Sequence, residues 1–196
     1  MIDSAALDTL FHHARTHSAW TPQPVTDEDL QRVFDVMRWA PTSMNLQPAR
    51  FVFLRTPEAK ARIKPMLAPG NVDKTMAAPV VVIVAHDTDF HTHAPRLFPP
   101  APGARAGFEG EEKRVARETF ALRNGSLQGA YFIVAARACG LDCGPMSGFD
   151  NARVDAEFFP EGRVRSNFLI NLGHGDPARV HPRLPRFAFD EVCQLL

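Results

Sequence analysis

The sequence has few cysteines, no long apolar run and no excess of charge of either sign. Its three cysteines, Cys139, Cys143 and Cys193, include no Cys-x-x-Cys pair, so neither a disulfide framework nor a zinc ribbon is expected. The longest uncharged apolar run covers the ten residues 76–85 and contains Pro79, whereas a transmembrane helix needs roughly 20 residues. The first residues also lack the basic-then-apolar order of a signal peptide. These absences predict a cytoplasmic protein without a membrane segment.

Charges of the two signs are balanced. Lys and Arg total 22, Asp and Glu total 22, and the formal net charge is zero at pH 7. Proteins that coat DNA or RNA neutralise several phosphates with an excess of basic residues, so no nucleic-acid partner is expected. A chain of 196 residues with 45% hydrophobic residues is long enough to bury a core without disulfides or metals. We therefore expect one domain over residues 1–196.

The apolar patterns predict helices around one sheet. Short runs rich in β-branched or aromatic residues predict strands at 50–54, 80–85 and 165–172. The second run is apolar on both faces, so it should be a central strand. Helical spacing and capping residues predict helices that begin after Asp3 or Ser4, at Thr26 and at Pro57, and a long helix over 111–138. This order of elements indicates a mixed α/β arrangement.

The predicted long helix contains small residues in its interior. Gly125 and Gly129 lie inside it, and each interior glycine costs about 1 kcal/mol relative to alanine. We therefore expect another backbone or a ligand to approach the helix closely at these positions. The apolar stripe of the helix consists of Leu127, Ala130, Tyr131, Val134 and Ala138.

Two segments rich in proline are expected outside the core. Residues 94–110 contain four prolines and three glycines, which predicts a long surface loop. Loops of this kind often cover a binding site. The tail over 177–196 is also interrupted by prolines, and we expect it to wrap around the surface.

Two local patterns suggest other chemistry, and both are weak. A cluster of possible metal ligands follows the predicted central strand and consists of His86, Asp87, Asp89, His91 and His93. Its spacing fits no common ligand template, which leaves a metal-dependent hydrolase as a minor alternative. Residues 173–178 formally match Gly-x-Gly-x-x-Ala. Nearby prolines leave no room for the helix that a dinucleotide site of this kind requires, so we reject a Rossmann site.

Two short polar segments are compatible with ligand binding. Thr42, Ser43 and Asn45 stand in a proline-flanked stretch, where they form either a simple turn or a set of donors directed at a flat polar ligand. Asn71 and Lys74 lie three residues apart and could share one helical face. Each pattern is weak alone, and its meaning depends on the order of all the segments along the chain.

Six segments in a fixed order resemble the nitroreductase family of flavoproteins, and within it the malonic semialdehyde reductase subgroup, which is related to pyrimidine degradation. They extend from residue 15 to residue 186 and so cover almost the whole chain. The segments are Arg15–Trp20, Trp39–Arg50, Gly70–Thr75 with Ala78–Pro79, Arg123–Ala130, Gly140–Asp150 and Leu184–Arg186. No single segment is diagnostic, but six in the family order are strong when taken together.

The resemblance implies an α+β sandwich, in which a mostly antiparallel sheet is flanked by helices, and an intertwined homodimer. Two identical FMN sites would lie at the dimer interface, each built from both chains. The glycines of the long helix would then pack at the centre of the dimer, and the loop near residue 99 would cover the site. No separate dinucleotide domain is required, since NADPH or NADH and the substrate react in turn at the flavin N5.

The resemblance assigns cofactor contacts to a set of residues, no side chain to catalysis and none to a metal. Guanidinium groups suit the FMN phosphate, and Arg15 and Arg186 match the phosphate-binding positions. Lys74 matches the cation that stabilises negative charge near N1 and O2 of the reduced flavin. The remaining matching positions are Thr16, His17, Thr42, Ser43, Asn45, Asn71, Asn124, Pro145, Met146, Ser147 and Gly148.

By this resemblance the chain would reduce malonic semialdehyde to 3-hydroxypropionate. A broad nitro- or quinone reductase on the same fold is the alternative, and a flavin-binding module without turnover is a third interpretation. The residues 17–19 (His-Ser-Ala) and Leu184 stand where many family members carry basic residues, which predicts a less charged phosphate site. Ser147 stands where many carry an acidic residue, which favours an anionic substrate such as a semialdehyde carboxylate.

Overall fold

The computed structural model describes residues 2–196, and a four-stranded antiparallel sheet lies at its centre. The strands are β1 (Ala49–Leu54), β2 (Val80–Asp87), β3 (Asp142–Met146) and β4 (Val164–Gly173). Their order across the sheet is β1-β2-β4-β3, and every neighbouring pair is antiparallel. The predicted α+β class with an antiparallel sheet is confirmed.

Strand β2 is the most buried element of the sheet, because all eight of its residues are buried. Side chains alternate between the two faces of a strand. Val80, Val82 and Val84 accordingly belong to one core cluster, and Val81 and Ile83 belong to another. The sheet is therefore covered on both faces, as a run that is apolar on both sides requires.

The helices surround this sheet. They are α1 (Ser4–Leu7), α2 (Asp27–Met37), α3 (Pro57–Ile63), α4 (Val72–Ala77), α5 (Ala94–Leu97), α6 (Arg114–Ala138), α7 (Asn151–Phe158) and α8 (Phe189–Val192). Side-chain caps fix several of their starts: Thr26 and Asp29 form a capping box on α2, and Thr56 caps α3. No helix within residues 2–196 is long and apolar enough to cross a membrane.

Several elements differ from the sequence-based expectation. Strand β3 was not predicted, since Gly144 and Pro145 are poor strand residues, and the sheet tolerates them because β3 is an edge strand. Helix α7 was also missed, although Asp150 caps it by accepting a hydrogen bond from the Arg153 backbone N–H. Residues 94–110 are not a plain loop, since α5 and the 3-10 turn Pro102–Phe108 occupy much of the segment.

The buried face of α6 is not its apolar stripe. The close approach predicted at Gly125 and Gly129 is present, and within the chain the approaching element is the sheet. A Cβ on Gly125 would lie 3.0 Å from the His86 Cβ, and a Cβ on Gly129 would lie 2.6 Å from the Phe168 ring. Leu127 and Tyr131 of the stripe are 46% and 45% exposed, so this side of α6 faces outward from the single chain.

The C-terminal tail begins against the N-terminal segment and then leaves apolar side chains uncovered. Arg183 donates hydrogen bonds to the backbone carbonyls of His12 and Ala14, and Arg15 donates to that of His181. Beyond this anchor the apolar side chains remain largely exposed, with Phe187 at 76%. Several exposed large apolar side chains within one short segment are typical of an interface with another chain.

We predict that Gly129→Ala lowers the free energy of unfolding by about 1–2 kcal/mol. The new methyl group would meet the Phe168 ring and the Val84 Cγ1, and overpacking costs about 1–3 kcal/mol, while the gain in helix propensity returns at most about 1 kcal/mol. Denaturant unfolding measures the change. The matched control is Gly103→Ala, which has no atom within 4 Å of the new Cβ. Equal effects of the two substitutions would contradict the packing described for α6.

Candidate functional site

A cavity of about 460 Å³ lies beside edge strand β3, between the N-terminal segment and the beginning of the tail. It brings together a group of the residues assigned to the cofactor by resemblance, namely Arg15, Thr16, His17, Lys74, Pro145 and Arg186. We call it the cationic cavity. Its walls come from five separate parts of the sequence, so only the folded chain assembles them.

The charge on the walls of this cavity is of one sign. Its cationic side chains are Arg15, Lys74, Arg137, Arg183 and Arg186, and no Asp or Glu lines it. Within residues 2–196 none of these cations is within 4.0 Å of a carboxylate oxygen. Since the whole chain has zero formal net charge, this concentration is local. It produces a positive potential suited to a dianionic group such as a phosphate monoester.

Arg137 and Arg183 were not among the residues assigned from the sequence. They supply positive charge in the same cavity wall where Ser18 and Leu184 lack it. Arg183 stands next to the Leu184–Arg186 segment, so a wider window around that segment would have found it. Arg137 lies near the C-terminal end of α6, and no local pattern marks it. The sequence-based expectation of a less charged phosphate site considered only the motif positions and did not include these two arginines.

Backbone contacts hold the N-terminal segment against β3. Thr16 forms a parallel bridge with Cys143, and the His17 N–H donates to the Cys143 carbonyl over 3.0 Å. Gly144 permits this approach, because a Cβ there would collide with the His17 carbonyl oxygen. Arg15 and Thr16 are thus fixed at the cavity by an edge-strand contact.

The His17 side chain is buried beside the cavity, and only one of its two ring nitrogens has a polar neighbour. Its Nε2 lies 3.4 Å from the Asp142 Oδ1, and its Nδ1 has no hydrogen-bond partner among residues 2–196. The ring packs directly over Gly175, where a side chain would not fit. Asp142 is held in place by the Gly175 N–H, which donates to its Oδ2 over 2.9 Å.

The segment after β3 is fixed by the residues that precede α4. The Asn71 Nδ2 donates to the Gly148 carbonyl over 2.8 Å, and the Ala68 N–H donates to the same oxygen over 2.9 Å. Met146 contacts the Thr75 hydroxyl through its sulfur at 3.6 Å. The Asn71 amide therefore sets the conformation of the loop that contains Ser147 and Gly148.

The remaining assigned residues, Thr42, Ser43, Asn45 and Asn124, lie elsewhere, in and around the segment 42–47 that precedes β1. The Asn124 Oδ1 accepts from the Ser43 N–H over 2.8 Å, while its Nδ2 donates to the Phe120 carbonyl over 2.9 Å. Thr42 accepts from the Gln47 N–H over 3.2 Å, and Asn45 donates to the Leu97 carbonyl over 2.9 Å. Asn124 is 2% exposed, so it holds the segment in place from within the fold.

Segment 42–47 has a strained backbone. Met44, Asn45 and Gln47 have φ values of 54°, 53° and 43°, a region that side chains other than Asn and Asp seldom occupy. Such conformations cost of order 1–3 kcal/mol each and persist where the surroundings enforce them, often at ligand sites. Two hydrogen bonds enforce these backbone conformations locally: the Asn124 Oδ1 accepts one from the Ser43 N–H, and the Leu97 carbonyl accepts one from the Asn45 side chain.

The two groups of assigned residues lie at opposite edges of the sheet. Segment 42–47 leads into edge strand β1, whereas the cationic cavity borders edge strand β3. Neighbouring strands are about 4.8 Å apart, so three spacings separate the two edges by about 14 Å. Within one chain the two groups of assigned residues are therefore apart, one at each edge of the sheet.

The other candidate groups are used by the fold. His86 packs on Gly125, His91 packs against the ring of Phe90, and burial lowers the pKa of both imidazoles. The buried Asp87 carboxylate pairs with Arg50 at 2.7 Å and with Arg163. Over residues 2–196 no three His, Cys, Asp or Glu side chains form a group that could hold a metal ion.

Neither Cys143 nor the glycine-rich segment after β4 offers an alternative site. Burial raises the pKa of the Cys143 thiol to about 12, so it stays protonated at neutral pH and is not a nucleophile. Directly after β4 the chain makes the 3-10 turn Pro177–Arg179, and no α-helix begins at the Gly-x-Gly-x-x-Ala match, since the next one is α8 (Phe189–Val192).

Sequence relatives cover the whole chain. The model of the nitroreductase family matches residues 13–174. A Burkholderia lata protein, provisionally named NADH dehydrogenase/NAD(P)H nitroreductase, is 58% identical over 194 residues and spans 99% of this chain and 98% of its own. HadB of Ralstonia pickettii, with the same provisional name, is 54% identical over 195 residues and spans 100% of both chains.

Solved structures share the fold at low sequence identity. A provisionally assigned nitroreductase from Exiguobacterium sibiricum, crystallised with FMN, has a TM-score of 0.83 at 18% identity and covers 100% of this chain and 99% of its own. The Bacillus subtilis protein ydfN has a TM-score of 0.83 at 22% identity, covering 99% of this chain and 100% of its own. The fold, the matched family model and the close relatives agree, and the chain belongs to the nitroreductase family.

Proposed function

We propose that residues 1–196 form a single FMN-binding domain of an NAD(P)H oxidoreductase. The observation that carries the proposal is the cationic cavity, in which Arg15, Lys74, Arg137, Arg183 and Arg186 face a common space without a carboxylate. FMN carries a phosphate dianion that such a space would hold. The family relatives bear NAD(P)H-dependent names, and the Exiguobacterium sibiricum protein binds FMN.

The residues of the cavity fit FMN in chemical type. Arg15, Arg183 and Arg186 would hold the phosphate, since guanidinium groups form paired charge-assisted hydrogen bonds with it. Lys74 would place a positive charge beside the pyrimidine edge of the flavin ring, where it favours the reduced anion. When bound, FMN supplies the hydride chemistry between NADPH or NADH and an acceptor. We assign no side chain to bond making or breaking.

We further propose that a second copy of the chain completes each site, which gives a homodimer with two FMN sites at its interface. The support is the separation of the assigned residues, with the cationic cavity at one sheet edge and segment 42–47 at the other. The outward side chains Leu127 and Tyr131 of α6, and Leu184 and Phe187 of the tail, offer apolar surface for that contact. Packing them against a second copy would remove this surface from water.

In the proposed dimer, segment 42–47 would present backbone donors to the flavin ring across the interface. Its conformation is already set in the single chain, because Asn124 binds the Ser43 N–H and the Leu97 carbonyl binds Asn45. Asn124 has both polar atoms of its side chain engaged, so we assign it a positioning role. A segment held in advance loses less conformational entropy when the ligand binds.

We propose malonic semialdehyde, reduced to 3-hydroxypropionate, as the substrate. The support is the resemblance to that subgroup and the neutral Ser147, which would not repel a substrate carboxylate. A broad nitro- or quinone reductase is the second candidate, and the nitroreductase names of the relatives favour it. A flavin-binding module without turnover is a third.

We predict that Arg183→Gln weakens FMN binding about tenfold or more but leaves riboflavin binding within about twofold. Riboflavin lacks the phosphate, and a hydrogen bond to a charged group contributes about 1.5–3 kcal/mol. Flavin fluorescence titration of the apoprotein measures both affinities. The matched control is Arg179→Gln, an exposed arginine outside the cavity. Equal weakening of both flavins would mean that Arg183 supports the fold and not the phosphate.

We predict that malonic semialdehyde reoxidises the reduced holoenzyme faster than nitrobenzene or benzoquinone does. Anaerobic stopped-flow recovery of the flavin absorbance measures the three rates. Ser147→Asp should slow the aldehyde about tenfold by like-charge repulsion and benzoquinone much less, while Ser147→Asn serves as the neutral control. Reoxidation by nitrobenzene or benzoquinone but not by the aldehyde would favour the nitro- or quinone reductase. Reoxidation by none of the three compounds would favour the flavin-binding module without turnover.

A further inference from the structure

A second cavity, of about 240 Å³, lies between α2, β1 and the segment around α5. It shares no lining residue with the cationic cavity, and it touches segment 42–47 only through Gln47. The side chains that matter for its binding properties are Phe34, Arg38, Phe51, Arg96 and Gln128. We call it the Gln128 cavity.

Gln128 provides a buried donor that the fold leaves without an acceptor. The residue is 4% exposed, and its Oε1 accepts from the Ala49 backbone N–H over 2.9 Å. Because a backbone N–H can only donate, the other amide atom must be the Nε2. Within residues 2–196 that Nε2 donates to no carbonyl, carboxylate or hydroxyl, and the side chain lines the cavity. This Nε2 is therefore free to donate a hydrogen bond to an oxygen atom of a ligand in the cavity.

The charged groups of the cavity are positive. Arg38 and Arg96 have neither an ion pair nor a side-chain hydrogen bond among the described residues, and Arg38 lies over the Phe34 and Trp39 rings at 5.7 Å and 5.8 Å from their centroids. A third arginine, Arg50, is already neutralised by the buried Asp87 at 2.7 Å. No Asp or Glu lines the cavity. An anion placed here would meet two unpaired guanidinium groups and one amide donor.

The remaining walls are apolar and determine what the uncharged part of a ligand must be. Phe34, Met37, Phe51 and Leu97 line the cavity, and its volume is below the range of about 300–1,000 Å³ typical of sites for drug-sized molecules. Such walls favour a ligand with a small apolar body, since burying apolar surface stabilises binding by about 25 cal/mol per Å². Inorganic phosphate offers no apolar part to these walls.

We propose that the Gln128 cavity is a binding site for a small monocarboxylate with an apolar body, such as an aryl or short acyl carboxylate. The carboxylate accepts hydrogen bonds from the Gln128 Nε2 and from Arg96 or Arg38. The ring or chain packs between Phe34 and Phe51. The site borders segment 42–47 through Gln47 but shares no lining residue with the cationic cavity, and it does not depend on the proposed oxidoreductase activity.

The test uses the protein saturated with FMN, so that the cationic cavity is not available to the probe, and benzoate as the probe in isothermal titration calorimetry. Gln128→Glu is the informative variant, because it keeps an oxygen for the Ala49 N–H, removes the free donor and places a negative charge where the ligand carboxylate would lie. We expect it to weaken benzoate binding at least tenfold. Arg96→Gln changes an exposed side chain and should weaken binding about tenfold, in line with the loss of one charge-assisted contact.

Two controls separate specific carboxylate binding from general attraction of anions or of apolar molecules. Arg32→Gln, on helix α2, which ends directly before Arg38, but outside the cavity, should leave benzoate affinity within about twofold. Benzyl alcohol should bind at least tenfold more weakly than benzoate. Absence of saturable benzoate binding, or unchanged affinity in both Gln128→Glu and Arg96→Gln, would overturn the proposal. Orthophosphate that displaces benzoate and binds more tightly would overturn the carboxylate assignment in favour of a phosphate site.

Discussion

The burial of strand β2 on both faces is the constraint on which the rest of the structure depends. Its valines and isoleucine contribute to two separate cores, so helices must cover both sides of the sheet and β2 must lie inside it. With four strands in the order β1-β2-β4-β3, β1 and β3 are left as edges. The polar segments that precede β1 and border β3 are consequently held at opposite ends of one rigid layer.

The meeting of distant segments at one sheet edge concentrates positive charge locally, although the whole chain has zero formal net charge. The cationic cavity is formed where the N-terminal segment and the tail meet at edge strand β3, so Arg15, Arg137 and Arg183 converge from positions far apart in sequence. Like charges in one space repel each other, and an anion that neutralises them stabilises the fold that holds them. The same logic applies on a smaller scale to the Gln128 cavity, where two guanidinium groups and one amide donor lack partners among the described residues.

Much of the fold could be predicted from local pattern, and the exceptions have physical causes. The three β-branched runs form strands as expected, because their side chains suit pleated, buried surfaces. Strand β3 was hidden by Gly144 and Pro145, which only an edge strand and a close backbone neighbour accommodate. The buried side of α6 was hidden too, since it consists largely of small and amide residues such as Gly129 and Gln128. Such a face is buried by tertiary contacts, and the sequence shows no helical periodicity of apolar residues that would reveal it. The order of the motifs identified several residues that line the cationic cavity. The place of Arg137 in that cavity is seen only in the folded chain.

The central claim is that each flavin site combines the cationic cavity of one copy with segment 42–47 of another. Co-expression of an Arg183→Gln copy and an Asn45→Ala copy with different affinity tags allows the mixed dimer to be isolated. We predict that the mixed dimer retains one site of wild-type FMN affinity per dimer, while each variant alone retains none, because one of the two shared sites then contains no substitution. A mixed dimer whose sites are all as weak as those of the single variants would contradict the claim.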